Sequence, residues 1–311
     1  MKNNPIGITS IGDPYLLKAS DGKYYLYATT FVKENPDFCG FYAWVSDDLE
    51  SFSAPVVCYE KGERSFGYRD FWAPEIVEYN GKYVMHYSSR RKEDDSLRIG
   101  VAVSDSPLGP FEDVNEKKPM FDFGYAAIDG HVFIDDDGKK YFYYSRDCSE
   151  NVYNGNRESH IYVAELTEDL FGLKSEGKLL IRPTEEFEKA PYTYQGQNVY
   201  WNEGPFVVKR NGIYHLTYSA NFFASKNYCI CAAWSKYPDR GFVKYDRPVL
   251  KGTDGKACSP GHNSVVKLGD NDYLCVYHVL TDGERPSADR QVFISKMRFI
   301  NDRIDIDEPL L

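Results

Sequence analysis

One phrase is written five times along this chain. It reads DGKYYLYATT at 21–30, NGKYVMHYSS at 80–89, DGKKYFYYSR at 137–146 and NGIYHLTYSA at 211–220, with a worn copy, DNDYLCVYHV, at 270–279. Each copy opens on a turn dipeptide and runs on into β-prone residues, the pattern of a hairpin entering its second arm. With the second residue of each phrase as a ruler, Gly22, Gly81, Gly138, Gly212 and Asn271 are separated by 59, 57, 74 and 59 residues. An extended run precedes each copy (DPYLLKAS, WAPEIVEY, DGHVFIDD, EGPFVVKR, HNSVVKLG), and a third strand-like run follows it (FYAWVSDD, RIGVAVSD, HIYVAELT, YCICAAWS, RQVFISKM). A fourth, weaker run often comes next, such as APVVCYE or GKLLIRP. Four antiparallel strands repeated five times predict an all-β chain, a five-bladed β-propeller forming a single domain over 1–311. The fifth repeat has material for four strands within 262–306, so the ring is expected to close without exchanging a strand between the termini. The longest spacing holds two insertions, 146–160 and 185–201, placed to line the mouth of a pocket or cap an edge.

Composition agrees with sheets. Tyr (26) and Phe (19) far outnumber Met (4), and no long segment shows a 3.6-residue apolar period, so helices should be few. A net charge of −10 with no Lys/Arg cluster argues against a nucleic-acid partner. No apolar run approaches the ~18 residues of a membrane span, so no membrane partner is expected. The start, MKNNPIGITSIGDP, has no hydrophobic signal core. A cytoplasmic location is expected, or a periplasmic or secreted one for a form whose export signal has been removed. Seven cysteines, an odd number, sit mostly in strand-like text and read as buried free thiols.

Counting nine residues back from each ruler position lands on Asp13, Trp72, Asp129, Glu203 and His262. The first strand of each blade lines the axis of a propeller, so these five are expected to ring one cavity. Asp before Gly or Pro is common in turns, and any one of them alone would read as a turn residue. Three carboxylates at equivalent positions are different, because repulsion disfavours gathering them without a cation, a proton or a reaction to hold. Two chemistries answer that need. One is a divalent cation held by acidic oxygens. The other is cleavage of a glycosidic bond by one ionised and one protonated carboxyl, with the third acid raising the donor's pKa. A Trp face suits the apolar face of a sugar, which favours the second.

The set IGDPYLLKASDGKYYLY, FWAPEIVEYNGKYVMHYS, IDGHVFIDDDGKKYFYYS, NEGPFVVKRNGIYHLTYS and SPGHNSVVKLGDNDYLCVYH resembles the blade signatures of glycoside hydrolase family 43 over nearly the whole chain. That resemblance implies a five-bladed propeller and an inverting glycosidase acting on arabinose- and xylose-containing polysaccharides. It implies Asp13 as general base, Glu203 as general acid and Asp129 as the carboxylate that tunes and orients the acid. It also implies carboxyls of base and acid roughly 6.5–9.5 Å apart. The third signature departs from the family, with Gly130 where Pro or Ala is usual. Trp72 and Phe31 would wall the sugar site, Arg290 would contact the sugar, and His262 would join the carboxylate network. No cofactor is required on this reading, and a structural Ca²⁺ near His262 is the family's other use of that histidine; a single neutral imidazole is a poor ligand for so hard a cation. The IDDDGKK stretch at 134–140 reads as turn chemistry, and Glu75 and His278 as structural hydrogen-bonding groups. The expected activity is exo-release of terminal α-L-arabinofuranose or β-D-xylose from oligosaccharides or polysaccharides. The alternatives are endo-acting arabinanase or xylanase, and a sugar-binding propeller without catalysis.

Overall fold

In the computed structural model, which describes residues 6–30, 35, 37–252, 258–280, 282 and 289–307, the five repeats form five sheets around one hub. Blade one is Ile11–Lys18, Tyr24–Thr30, Gly40–Ser46 and Val56–Glu60. Blade two is Gly67–Tyr79, Lys82–Arg91, Leu97–Ser104 and Glu112–Asp113. Blade three is Ala127–Ile134, Lys140–Arg146, Asn156–Glu165 and Lys178–Ile181. Blade four is Gln197–Arg210, Ile213–Ala220 and Cys229–Ser235, edged by the short Val243–Lys244 and Leu250–Lys251. Blade five is Cys258–Gly269, Asp272–Leu280, Arg290–Ile300 and Arg303–Ile306. Among the described residues the helical content is one 3₁₀ turn, Glu186–Glu188, and no helix is long and apolar enough to cross a membrane.

Nearly every second strand is buried along its length, because both faces of a blade pack on neighbours; this is why the repeated phrases read as continuous aromatic and aliphatic runs. Tyr27, Phe41, Tyr59 and Tyr87 fill the seam between blades one and two. Phe142 and Tyr144 pack with Ile99 and Val101 between blades two and three. Tyr143, Leu216 and Tyr218 join three to four, Phe206 and Tyr277 join four to five, and Leu26 and Val276 close five onto one. The seven cysteines are free, and Cys229 and Cys231 lie on one strand face with sulfurs 3.7 Å apart.

The innermost strands share one irregularity that the even ruler concealed. Each breaks its pairing at a two-residue bulge: Asp13-Pro14, Ala73-Pro74, Asp129-Gly130, Gly204-Pro205 and His262-Asn263. The first residue of each bulge has positive φ, between 46° and 58°. A bulge leaves its extra residue outside the ladder, which is why Pro, having no N–H, is tolerated at three of the second positions. Asp13, Asp129 and His262 are therefore equivalent, but Trp72 and Glu203 are not; each lies one residue before its bulge. The offset comes from the hairpins. Blades two and four turn in two residues, Asn80-Gly81 and Asn211-Gly212, and so slip by one against the longer turns of blades one and three; blade five also turns in two, Asp270-Asn271, but a further irregularity between Lys267 and Gly269 restores the count.

Two other expectations need amendment. Blade five does supply four strands of its own, yet the N-terminal segment also clasps it: Thr9 bridges to Gln291, and Val292 N–H donates to Ile8 O at 3.1 Å. The insertions do more than edge a pocket. Arg157, Glu158 and Ser159 pair in parallel with Val199, Tyr200 and Trp201, stitching blades three and four into one continuous sheet. The IDDDGKK stretch is a hairpin turn whose Asp135 binds Lys209 and Tyr214 of blade four.

Candidate active site

The bulges converge at the hub, where Asp13, Glu75, Asp129, Gly204 and His262 line one cavity. Positive φ is uncommon away from glycine and costs about 1 kcal/mol or more per residue. Here it is held by a belt of side chains from the adjacent blade. Ala73 N–H donates to Thr29 Oγ1 (2.8 Å), Asp129 N–H to Ser88 Oγ (3.0 Å), His262 N–H to Ser219 Oγ (2.7 Å) and Asp13 N–H to His278 Nδ1 (3.1 Å). Gly204 N–H instead reaches Asp129 Oδ2 at 3.2 Å, which ties the acidic side chain of blade three to the bulge of blade four.

Asp13 sits in a cationic setting. Its carboxylate accepts from Thr29 Oγ1 at 2.6 Å and from Arg290 Nη1 at 2.8 Å, with His262 Nδ1 at 3.3 Å. Burial by itself would raise its pKa, but Arg290, His262 and the Thr29 hydroxyl override it and hold the carboxyl well below the usual range. His278 is not a cation here: its Nδ1 accepts a backbone N–H, and burial together with Arg290 drives its pKa down. Arg290 therefore carries most of the effect. It is 4% exposed and lies where a Cβ on Gly12 would stand, 1.9 Å from Cζ, so the glycine of IGDP makes room for the guanidinium. The other face of the guanidinium is covered by the Phe223 ring, 4.9 Å away.

Asp129 and Glu203 sit in the opposite setting. Asp129 is buried and pushed up to about 6, first by burial and then by the charge of Asp13, with His262 and the Gly204 amide opposing. Glu203 is raised well above the carboxylate range by burial and by Asp129, Asp147 and Asp13, while Tyr228 O–H donates to its Oε1 at 2.8 Å. One carboxyl held ionised and one held protonated across a hub is the arrangement acid–base cleavage needs.

The remaining sequence candidates divide. His262 faces Asp13, as a hydrogen-bonding role requires. Arg290 is buried against Asp13; its visible work is on the carboxylate. Trp72 is half-buried, packed on Leu97, Ala126 and Ile128 with the Arg90 guanidinium 5.9 Å from its ring. Phe31 lies outside the described residues. Glu75 and His131 pair with each other within the hub, and the Glu75 carboxyl is raised by burial. Among the described residues no three carboxylate, imidazole or thiolate groups converge as a metal cage, and the His262 nitrogen is turned to an aspartate already bound by Arg290. The donors around His262 do not fit direct calcium ligation.

Thr29, Tyr228 and Asp147 were not singled out from sequence. His278, read from sequence as a structural hydrogen-bonding group, takes the belt position where the other four phrases carry Ser or Thr. Asp147 follows a strand end and Tyr228 precedes a strand, in segments with no repeat to compare. Gly130, the departure from the usual signature, has a local cause: a Cβ there would meet the Phe142 ring at 2.2 Å.

The model of Glycosyl hydrolases family 43 matches residues 2–304. A β-D-galactofuranosidase of Aspergillus niger is 28% identical over 95% of this chain and 82% of its own length. The crystal structure of a thermostable family-43 glycoside hydrolase superposes with a TM-score of 0.90 at 40% identity, covering 99% of this chain and 96% of that one. An endo-1,4-β-xylanase structure from Bacteroides thetaiotaomicron gives 0.80 at 29% identity, with 96% and 94% covered. With the repeats, the five-bladed hub and the paired carboxyl environments, these matches place the chain among the enzymes that cleave glycosidic bonds: it belongs to glycosyl hydrolase family 43.

Proposed function

We propose that this enzyme is an inverting exo-glycosidase that removes terminal α-L-arabinofuranosyl or β-D-xylosyl residues from arabinan, arabinoxylan or xylan oligosaccharides. The observation that carries the reading is the opposed setting of Asp13, held ionised beside Arg290, and Glu203, held protonated among other carboxyls. Asp13 takes a proton from a water that attacks the anomeric carbon. Glu203 gives its proton to the leaving oxygen as the glycosidic C–O bond breaks. The new C–O bond forms on the opposite face, so the released sugar has inverted configuration. Asp129 keeps the proton on Glu203 by repulsion and anchors the Gly204 amide beside it. Trp72 supplies an apolar platform for the sugar.

End-cleavage is supported by an aromatic wall raised by the insertion of blade four. Tyr192, Trp201 and Phe222 pack with centroids 4.6–5.5 Å apart, and Phe223 leans on Phe222 and over Arg290 beside the base. The sugar class is supported by relatives named as a xylosidase/arabinosidase of Bacteroides ovatus and an exo-α-(1→5)-L-arabinofuranosidase of Streptomyces chartreusis. The deciding experiment is a nitrophenyl glycoside panel (α-L-arabinofuranoside, β-D-xyloside, β-D-galactofuranoside) run beside arabinan, arabinoxylan and xylo-oligosaccharides. Monosaccharide of inverted anomeric configuration, seen by proton NMR at early times, is expected. Retained configuration, or oligosaccharides as first products, would overturn the reading.

A further inference from the structure

A fourth carboxylate lies close enough to Asp129 and Glu203 to act on both electrostatically. Asp147 follows the second strand of blade three and is 7% exposed. Its place is set from both sides. Its N–H donates to Ala126 O at 2.9 Å, three residues before Asp129. Its carboxylate accepts from Ser159 Oγ at 3.5 Å, and Ser159 is paired in parallel with Trp201, two residues before Glu203. The stitch between blades three and four thus presses Asp147 between the strands that carry both acids.

Its hydrogen bonds do not require a charge. Oδ1 accepts the Ser149 N–H at 2.9 Å, the Ser159 hydroxyl is a neutral donor, and the amide oxygen of an asparagine would accept as well. Among the described residues no cation lies within ion-pair distance of Asp147. The arginines nearby are turned elsewhere. Arg157 binds Ser149 O at 2.8 Å, Arg146 lies over the Tyr125 ring at 4.4 Å, and Arg98 takes Asp122 and Glu150 at 3.1 and 3.8 Å. The groups facing Glu203 from the other elements are Asp129 on blade three, Asp13 on blade one and Tyr228 ahead of the third strand of blade four; His262 of blade five packs over Gly204. A buried, unpaired carboxylate costs stability, and its repulsion acts on the nearest titrating groups.

We propose that Asp147 is a positioning residue for the proton of this site, a fourth negative charge that keeps Glu203 protonated and so sets the alkaline limit of activity. The proposal rests on Glu203 being the acid. Its sign is definite. Removing the charge lets Glu203 lose its proton at lower pH, so the alkaline limb of the kcat/KM profile moves down. The acidic limb, which reports Asp13 beside Arg290, stays in place.

The test is the pH profile of the parent, Asp147→Asn and Asp147→Glu on an oligosaccharide substrate. Asp147→Asn is expected to move the alkaline limb down by about half a pH unit or more, and Asp147→Glu to restore it. Asp147→Ser keeps an oxygen for the Ser149 amide and must move the limb the same way, which serves if the asparagine variant does not fold. An unmoved limb with kcat lowered at all pH values would show a merely structural residue and overturn the proposal. Glu203→Gln separates the two claims: full activity there defeats the assignment of the acid, whereas an inactive Glu203→Gln with an unmoved Asp147→Asn limb defeats only the role of Asp147.

Discussion

The two sides of the hub use one backbone device to opposite electrostatic ends. Asp13 and Asp129 occupy the same bulge position, each with positive φ and each with its N–H bound by a side chain of the preceding blade. On the blade one and five side, an arginine from a third strand reaches the carboxylate through the gap left by Gly12. On the blade three and four side no lysine or arginine among the described residues reaches the acids, and the neighbours are carboxyls, His262 and the Tyr228 hydroxyl. The repeat thus sets where a carboxyl stands, while the strand packed behind it decides whether it holds a proton.

The sharpest way to break this comparison is to remove each carboxyl. Glu203→Gln and Asp13→Asn should each lower kcat by about 10³-fold on natural linkages, the usual scale for a lost acid or base. They should separate on a dinitrophenyl glycoside, whose leaving group needs little protonation. The Glu203→Gln deficit should shrink there and that of Asp13→Asn should persist; equal deficits on both substrates would erase the difference in role.

A second prediction concerns what holds the acidic side in place. Glu188, fully buried, binds Lys244 Nζ at 2.6 Å, the Tyr218 hydroxyl at 2.7 Å and the amide of Asn202, the neighbour of Glu203, at 3.2 Å. Lys244→Met leaves that carboxylate uncompensated and should cost about 3–5 kcal/mol of unfolding free energy, read by chemical denaturation. An unchanged midpoint would mean that the pair does not brace this side.

Arg290→Gln addresses the cationic side. Without the guanidinium the Asp13 carboxyl regains its proton more readily, so the acidic limb of the rate profile should move up by about one to two pH units, with the alkaline limb fixed. Movement of the alkaline limb instead would place Arg290 with the wrong partner.

The smallest effect is also one of sign. Asp129, with its pKa raised to about 6 in the folded protein, binds more protons folded than unfolded between its ordinary range and pH 6. Its contribution to stability is therefore present at low pH and lost as pH rises through about 6. Asp129→Asn should raise the melting temperature at pH 8 and leave it nearly unchanged at pH 4. Asp13→Asn, which strands Arg290, should lower it at pH 8. Both variants moving the same way would dissolve the contrast.

Much of this was legible in one dimension. The five turn-led phrases predicted five blades, and their aromatic runs the seams, because a strand buried on both faces has to be apolar throughout. Asp13, Asp129 and His262 fell at one position because their blades keep the same count between bulge and turn. Trp72 and Glu203 slipped by one because their two-residue hairpins shorten that count, a loss that blade five makes good with an extra residue at Leu268, and turn length carries no mark in a fixed spacing. Arg290 was found as a sugar contact, but its ion pair with Asp13 was not foreseen. Nothing near RQVFISKM says that the guanidinium passes Gly12, 278 residues earlier, to reach Asp13.

The sequence by itself determined the number of blades, the strands in each and the acids that could do chemistry, because periodicity and residue type are local properties written into the chain. Only the tertiary structure decided which carboxyl is ionised, which is protonated and which arginine stands between them. Those outcomes depend on burial and on charges brought together from different blades, and an electrostatic environment is a sum over neighbours in space.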